Sequence, residues 1–177
     1  LSWHLGFHQA RFDQTRRELF GTQERIVLAD ILTPPKNMTC RIRVTYAQKI
    51  EQIEYIEYQP REMRSFALVE TTQDYRYKSC DRTFLNEALR ADADDVIFVK
   101  EGLLTDTTIA NIALWIEGEW KTPLAPLLEG TTRARLLASG FLKAEHLSVS
   151  SLQKARKFAI MNALIGFKTI ENVLMKE

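Results

Sequence analysis

Cysteine is scarce in this chain. Cys40 and Cys80 are the two in 177 residues; they lie far apart and match no metal-ligand spacing, which excludes a disulfide scaffold and a cysteine metal site and leaves free thiols. Net charge is nearly absent too: 24 Lys and Arg against 23 Asp and Glu give +1. No long-range field then exists to gather a polyanion, so neither nucleic acid nor membrane is expected as a partner, and recognition must be local. No apolar run approaches the length of a membrane span, and the amino end has no basic segment followed by an apolar one; the expectation is a soluble, cytoplasmic protein. Internal repeats and low-complexity tracts are missing as well. What is present, 45% hydrophobic and 27% charged residues, suffices for one good core or two small ones.

Leu5, Phe7, Phe12, Leu19 and Phe20 form an approximate helical stripe, and Gly21 is placed to end that helix. What precedes it is too short for a strand with its own turn, so the first strand of this part is expected to be missing from the chain. Beyond Ile26 to Ile31 and the Pro34-Pro35 break, Cys40, Ile42, Val44 and Tyr46 alternate with Arg41, Arg43 and Thr45. That alternation predicts a half-buried strand with arginines on its polar face, paired with a second strand over Gln52 to Tyr58. Gln59-Pro60-Arg61-Glu62 has linker composition. The predicted organisation is a small domain over residues 1–62 and a larger one over 63–177.

The larger part alternates element types. Strands are predicted at Phe66 to Val69, Val96 to Val99, Leu103-Leu104, and in a hairpin of Asn111 to Ile116 with Trp120 to Pro123 around Glu117-Gly118. Helices are predicted at Arg82 to Ala91, Thr132 to Ser139 and Ser151 to Ala159, with Lys168 to Met175 a final strand or helix. Such a sequence argues for a mixed α/β (α+β) fold, and the hairpin speaks against a purely parallel sheet.

Four features in this part could carry chemistry, and each has an ordinary structural use. Thr131 and Thr132 after Gly130 stand where a helix exposes unpaired amides, suited to a cap or to a phosphate cradle. Lys78 precedes a helix-like run, an unfavourable place for a cation, with Arg76 and Arg82 close in sequence. A lysine near other cations loses its proton more readily and can form a Schiff base. Asp106 could close a strand and Asn111 could open one.

Their order resolves the ambiguity. Lys78-Ser79-Cys80-Asp81-Arg82, then Val96 to Gly102 leading to Leu104-Thr105-Asp106, Asn111, Thr122-Pro123 and Leu128-Glu129-Gly130-Thr131-Thr132-Arg133 resemble the class IV aminotransferase family, the fold-type IV pyridoxal phosphate enzymes. These include branched-chain and D-amino acid aminotransferases and 4-amino-4-deoxychorismate lyase. His8-Gln9-Ala10-Arg11-Phe12 is similar to the family's His-x-x-Arg-Leu. The resemblance implies two small domains with the cofactor, pyridoxal 5'-phosphate, between them, and a homodimer acting on a small amino-bearing substrate.

Residue by residue, it implies Lys78 as the covalent lysine and proton carrier, and Asp106 where most members place a glutamate facing the pyridine nitrogen. A carboxylate there keeps that nitrogen protonated. It implies Arg11, Thr131 and Thr132 at the phosphate, Asn111, at the family interval after Asp106, as a support of the site among the cofactor-binding residues, and Asn162, from Asn162-Ala163-Leu164, near the cofactor. Arg41 and Arg43 are the available holders for a substrate carboxylate. Within the family, Asp81-Arg82 is closer to the lyases' Asn-Arg than to the aminotransferases' Gly-Asn-Tyr, and Asn162-Ala163-Leu164 points the same way. The amino-terminal strand that discriminates substrates in the family has no counterpart here. The resemblance therefore leans to 4-amino-4-deoxychorismate lyase, which would release pyruvate and form 4-aminobenzoate, a folate precursor. An amino acid aminotransferase is the alternative, and a cofactor-binding protein without turnover a minor one.

Overall fold

The computed structural model describes residues 4 to 176. By its contacts the chain divides into two compact units, Leu1–Pro60 and Arg61–Glu177.

The first unit contains helix α1 (Leu5–Phe20), the short α2 (Leu28–Ile31), and strands β1 (Cys40–Tyr46) and β2 (Ile50–Glu57). Helix α1 stops where predicted, because Gly21 adopts φ 63° and its N–H returns to the Arg17 carbonyl, a left-handed cap that favours glycine. The expected stripe is only partly buried: Phe12 reaches the core with Leu28 and Leu32, against Ile42, Val44 and Tyr46, whereas Leu19 is exposed. Arg16 takes the buried place instead. Its guanidinium donates to the carbonyls of Glu24 (2.6 Å) and Gln48 (3.2 Å from Nε) and stands 5.1 Å from the Phe12 ring centre. Strands β1 and β2 pair antiparallel from Cys40 opposite Glu57 to Tyr46 opposite Ile50.

The second unit is mixed α/β. In chain order it holds β3 (Ser65–Glu70), α3 (Thr83–Glu87), β4 (Asp95–Lys100), β5 (Leu103–Thr107), β6 (Asn111–Ile116), β7 (Glu119–Pro123), α4 (Thr131–Ala138), β8 (Leu142–Glu145), α5 (Val149–Lys154), β9 (Lys157–Asn162), β10 (Gly166–Ile170) and β11 (Leu174–Lys176). Among the described residues the strands form one nine-stranded sheet in the order β10-β9-β6-β5-β4-β3-β11, with β7 joined to β6 and β8 to β7. The β11-β3-β4 end is parallel; β4-β5 and β6-β7 are antiparallel hairpins. Their turns, Glu101-Gly102 and Glu117-Gly118, hold both residues at positive φ, the twist that two-residue hairpins need. Val96, Ile97, Phe98 and Val99 are all buried, as the sheet packs apolar residues on both faces there.

Three predicted elements differ. The helix over Arg82 to Ala91 shrinks to Thr83–Glu87. Leu85 is buried but Leu89 is 41% exposed, so the last predicted turn has no surface to pack on, and short helices depend on such packing. Ser151 to Ala159 is a helix only to Lys154 and then strand β9. Phe158 to Met161 is an unbroken apolar run, and such a run carries no period that separates a buried strand from a helix. Lys168 to Met175 spans parts of two strands, β10 and β11, separated at Asn172 by a residue with φ 52°. Strand β8, with Leu142 buried and its other residues exposed, has too little pattern to be read.

Candidate active site

Strands β5 and β6 pair at one register position, Asp106 opposite Asn111. Between them the chain reverses over residues 107–110, where the Thr107 N–H donates to the Ala110 carbonyl (2.8 Å) and the Thr107 hydroxyl accepts from the N–H groups of Ile109 and Ala110. That turn delivers both polar side chains into a buried place: Asp106 is 4% exposed and Asn111 5%. The Asn111 amide donates to Asp106 Oδ1 at 2.6 Å and to the Leu128 carbonyl at 2.8 Å. The Leu128 N–H donates to Asp106 Oδ2 at 2.8 Å. Acid, amide and the backbone of Leu128 thus close a ring of hydrogen bonds.

The ring has a direct effect on the acid. Its donors are neutral, and burial pushes the Asp106 carboxyl up to about 7, against the lowering pull of the Leu128 N–H, the Asn111 amide and the Arg133 charge. A carboxyl held near neutrality in a dry place ionises readily beside a cation. It has the property required to hold a proton on a basic ring nitrogen.

The same ring explains Gly130, though not through turn flexibility, since its φ of −68° is ordinary. A Cβ there would lie 2.0 Å from Asn111 Oδ1. The close neighbour that requires glycine is the asparagine that holds the acid. Gly130 is the N-cap of α4, and Thr131 and Thr132 occupy its first turn, each 7% exposed. Neither threonine is the cap residue. Their amides belong to the set that a helix leaves without intrahelical partners, at its positive end, a natural seat for a phosphate.

Arg133 follows, 4% exposed, with Nη2 donating to the Pro123 carbonyl at 2.7 Å and Nε buried without a partner among the described residues. Burial lowers its pKa, while the Asp106 and Glu129 charges oppose that shift. Sequence reasoning quoted Arg133 only as part of a motif. The missed signal is an arginine in the first turn of a helix, where the dipole disfavours a cation unless something else holds it.

Lys78 lies in the segment between β3 and α3 and is exposed. It does not stand at the helix start, since α3 begins at Thr83. Its cationic neighbours are both engaged: Arg76 pairs with Asp74 (2.6 Å), and Arg82 donates to the Tyr75 hydroxyl and to the Thr108 carbonyl. Asn162 is in β9, where its Oδ1 accepts from the N–H groups of Leu164 and Ile165 and its Nδ2 donates to the Ile109 carbonyl at 3.1 Å. It thereby ties the β9-β10 turn to the turn that carries Asp106 and Asn111. Arg11 is half-buried on α1. Arg41 and Arg43 are exposed on β1, and Arg43 pairs with Glu54 across the hairpin (3.3 Å). These three belong to the first unit.

A buried carboxyl, a helix amino end bearing two hydroxyls and an accessible lysine form a donor set that fits a phosphorylated pyridine aldehyde. No group of histidine, cysteine and carboxylate residues suited to a metal ion exists among the described residues, and no described helix is long and apolar enough to cross a membrane.

Comparison with known proteins agrees with that chemistry. Residues 45–173 match the family described as amino-transferase class IV, a span that includes Lys78, Asp106, Asn111, Thr131, Thr132 and Asn162 but not Arg11. An uncharacterized protein of Haemophilus influenzae is 30% identical over 171 residues, 92% of this chain and 91% of that protein. A crystal structure from Haemophilus somnus, provisionally named a 4-amino-4-deoxychorismate lyase, is similar with a TM-score of 0.82 at 28% identity, covering 92% of this chain and 90% of that one. One from Mesorhizobium loti, provisionally named an amino-acid aminotransferase, gives 0.80 at 25% identity over 98% and 92% of the two chains.

Proposed function

The chain belongs to the class IV aminotransferase family, whose members are pyridoxal-phosphate-dependent enzymes, and we propose that its reaction is that of 4-amino-4-deoxychorismate lyase. The observation that carries the cofactor part is the Asp106, Asn111 and Leu128 ring beside the amino end of α4. The lyase part is supported by Asp81-Arg82 and Asn162-Ala163-Leu164, and by the similarity to the Haemophilus somnus protein. The likeness to the Mesorhizobium loti protein supports the alternative, an amino acid aminotransferase of branched-chain or D-amino acid type.

When bound, pyridoxal 5'-phosphate supplies an electron sink for a carbanion formed beside the substrate nitrogen. The residues of this chain then have the following roles in the proposal. Lys78 Nζ would hold the cofactor and would be the base that takes the proton from the carbon bearing the substrate amine. Asp106 would hold the proton on the ring nitrogen of the cofactor. Asn111 and the Leu128 N–H hold Asp106 in place, and Thr131 and Thr132, with Arg11, hold the phosphate. Asn162 steadies the turn between Asp106 and Asn111. Arg41 or Arg43 receives the substrate carboxylate. The carbon–oxygen bond to the enolpyruvyl group breaks, the departing enol takes a proton and leaves as pyruvate, and the aromatised ring is 4-aminobenzoate, so atoms balance without an oxidant. The same reading includes a homodimer and a cytoplasmic place in folate-precursor synthesis.

Incubating the cofactor-loaded protein with 4-amino-4-deoxychorismate and no keto acid tests the lyase reading through pyruvate release. No pyruvate, together with conversion of the cofactor to its aminated form by glutamate, selects the aminotransferase. Neither reaction in a loaded protein selects the non-catalytic alternative. Borohydride followed by peptide mapping tests the lysine: a label on any residue other than Lys78 removes the assignment.

A further inference from the structure

The segment that carries Lys78 is neither helix nor strand, yet it is tied down on both sides of the lysine. Before it, the Tyr75 ring is buried and packs edge-on against Phe84, with centres 5.4 Å apart. After it, Arg82 reaches back over the loop. Its Nη1 donates to the Tyr75 hydroxyl at 3.4 Å, and that hydroxyl donates to the Ser79 carbonyl at 3.2 Å. Its Nη2 donates to the Thr108 carbonyl at 2.8 Å. Thr108 is itself fixed, since its hydroxyl (2.7 Å) and N–H (3.3 Å) both donate to Oδ1 of the buried Asp95 at the start of β4. The turn containing Thr108 is the one that separates Asp106 from Asn111.

We propose that Arg82 is a positioning residue, a clamp whose two arms fix the Lys78 loop against the turn between Asp106 and Asn111, with Asp95 as the anchor of that turn. The proposal rests on the reading that Lys78 holds the cofactor. Both partners of Arg82 are neutral, a phenol and a carbonyl, so ion pairing does not account for its place. A planar guanidinium can span two acceptors in fixed directions, which a lysine ammonium on a flexible stem cannot do. Loop position matters because proton transfer at Lys78 requires its Nζ at one distance from the reacting carbon, a distance that Asp106 helps set by orienting the ring.

The clamp and the bare charge of Arg82 make different predictions. Arg82→Ala removes both, whereas Arg82→Lys keeps the charge and loses the two-armed contact. In the loaded protein, both variants are expected to move the pH midpoint of the absorbance of the lysine-bound cofactor by about half a pH unit or more. Both are expected to lower kcat about ten- to a hundredfold with KM within about threefold. An Arg82→Lys protein with the parental midpoint and kcat overturns the clamp in favour of charge alone. In the cofactor-free protein, hydrogen exchange at the amides of residues 77–81 is expected to speed up in Arg82→Ala while β4 and β6 keep their protection; unchanged exchange in the loop overturns the proposal. Should Arg82→Ala fail to fold, Tyr75→Phe removes one arm and keeps the packed ring, with the same expected directions. A parent protein that forms no borohydride-fixed adduct on Lys78 removes the functional reading, while the exchange measurement still decides the clamp.

Discussion

Asp106 and Asp95 are two buried aspartates on adjacent strands, one at the edge of the turn over residues 107–110 and the other hydrogen-bonded to it through Thr108, and they are satisfied in opposite ways. Asp95, 1% exposed, gathers three donors on one oxygen, the Val96 N–H and the N–H and hydroxyl of Thr108, and leaves Oδ2 without a partner among the described residues. Asp106 takes one short hydrogen bond on each oxygen from groups that also bind each other. A carboxylate that collects local backbone and hydroxyl donors is a structural knot, fastening a turn to a strand. One held symmetrically between an amide and a backbone N–H keeps lone pairs on both oxygens for a further donor. Burial alone does not distinguish the two; the direction of their hydrogen bonds does.

The largest expected effect that separates them is on turnover. Asp106→Asn keeps the size of the side chain but removes the charge and sets an amide NH2 against one of its two donors, and is expected to lower kcat by about a hundredfold or more, whereas the variants of Asp95 should lower it only as far as they loosen the turn. Steady-state kinetics on the two loaded proteins checks this; equal losses would erase the distinction. Next comes the pH dependence of stability. The folded-state pKa of Asp106, about 7, lies above that of the unfolded chain, so its contribution is fully present below about pH 4 and is lost as pH rises toward 7. The total loss across that range amounts to a few kcal/mol, ~4 at most. Urea titrations of the cofactor-free protein should show that loss, and Asp106→Asn should flatten it.

Gly130→Ala follows. The new methyl group meets Asn111 Oδ1 at 2.0 Å, so the ring must open, with an expected loss of about 1–3 kcal/mol. A melting temperature equal to that of the parent would show that the ring yields freely. Smallest is Asp95→Asn, which keeps the oxygen that serves all three donors and puts an amide in place of the unpartnered Oδ2; the donors then meet a neutral acceptor, and about 1 kcal/mol is expected, read as a lower urea midpoint with an unchanged slope.

Which parts were legible in the sequence follows from how each is held. Helix α1 declared its end through Gly21, and the β6-β7 hairpin declared itself through Glu117-Gly118, because backbone geometry there demands particular residues. Strand β9 stayed hidden because Phe158 to Met161 is buried on both faces and shows no alternation. Lys78, Asp106 and the Gly130-Thr131-Thr132 segment could be singled out because family order supplied what spacing alone could not. Thr108 and Asp95 carried no such mark. Their importance lies in a contact between β4 and the turn after β5, which no local pattern encodes. The demand for glycine at position 130 likewise comes from a neighbouring side chain, that of Asn111.

That neighbour ties two positions together across evolutionary time. With Asn111 in place, a side chain at position 130 meets its Oδ1, so a lineage that acquires one must also move or shrink the residue at position 111. A smaller residue at position 111 in turn removes the amide that donates to Asp106, so a change at either position disturbs the seat of the acid. The two sites therefore form a coupled pair, each setting what a change at the other costs, and a redesign that treats them as independent will read a steric conflict as an intolerant residue.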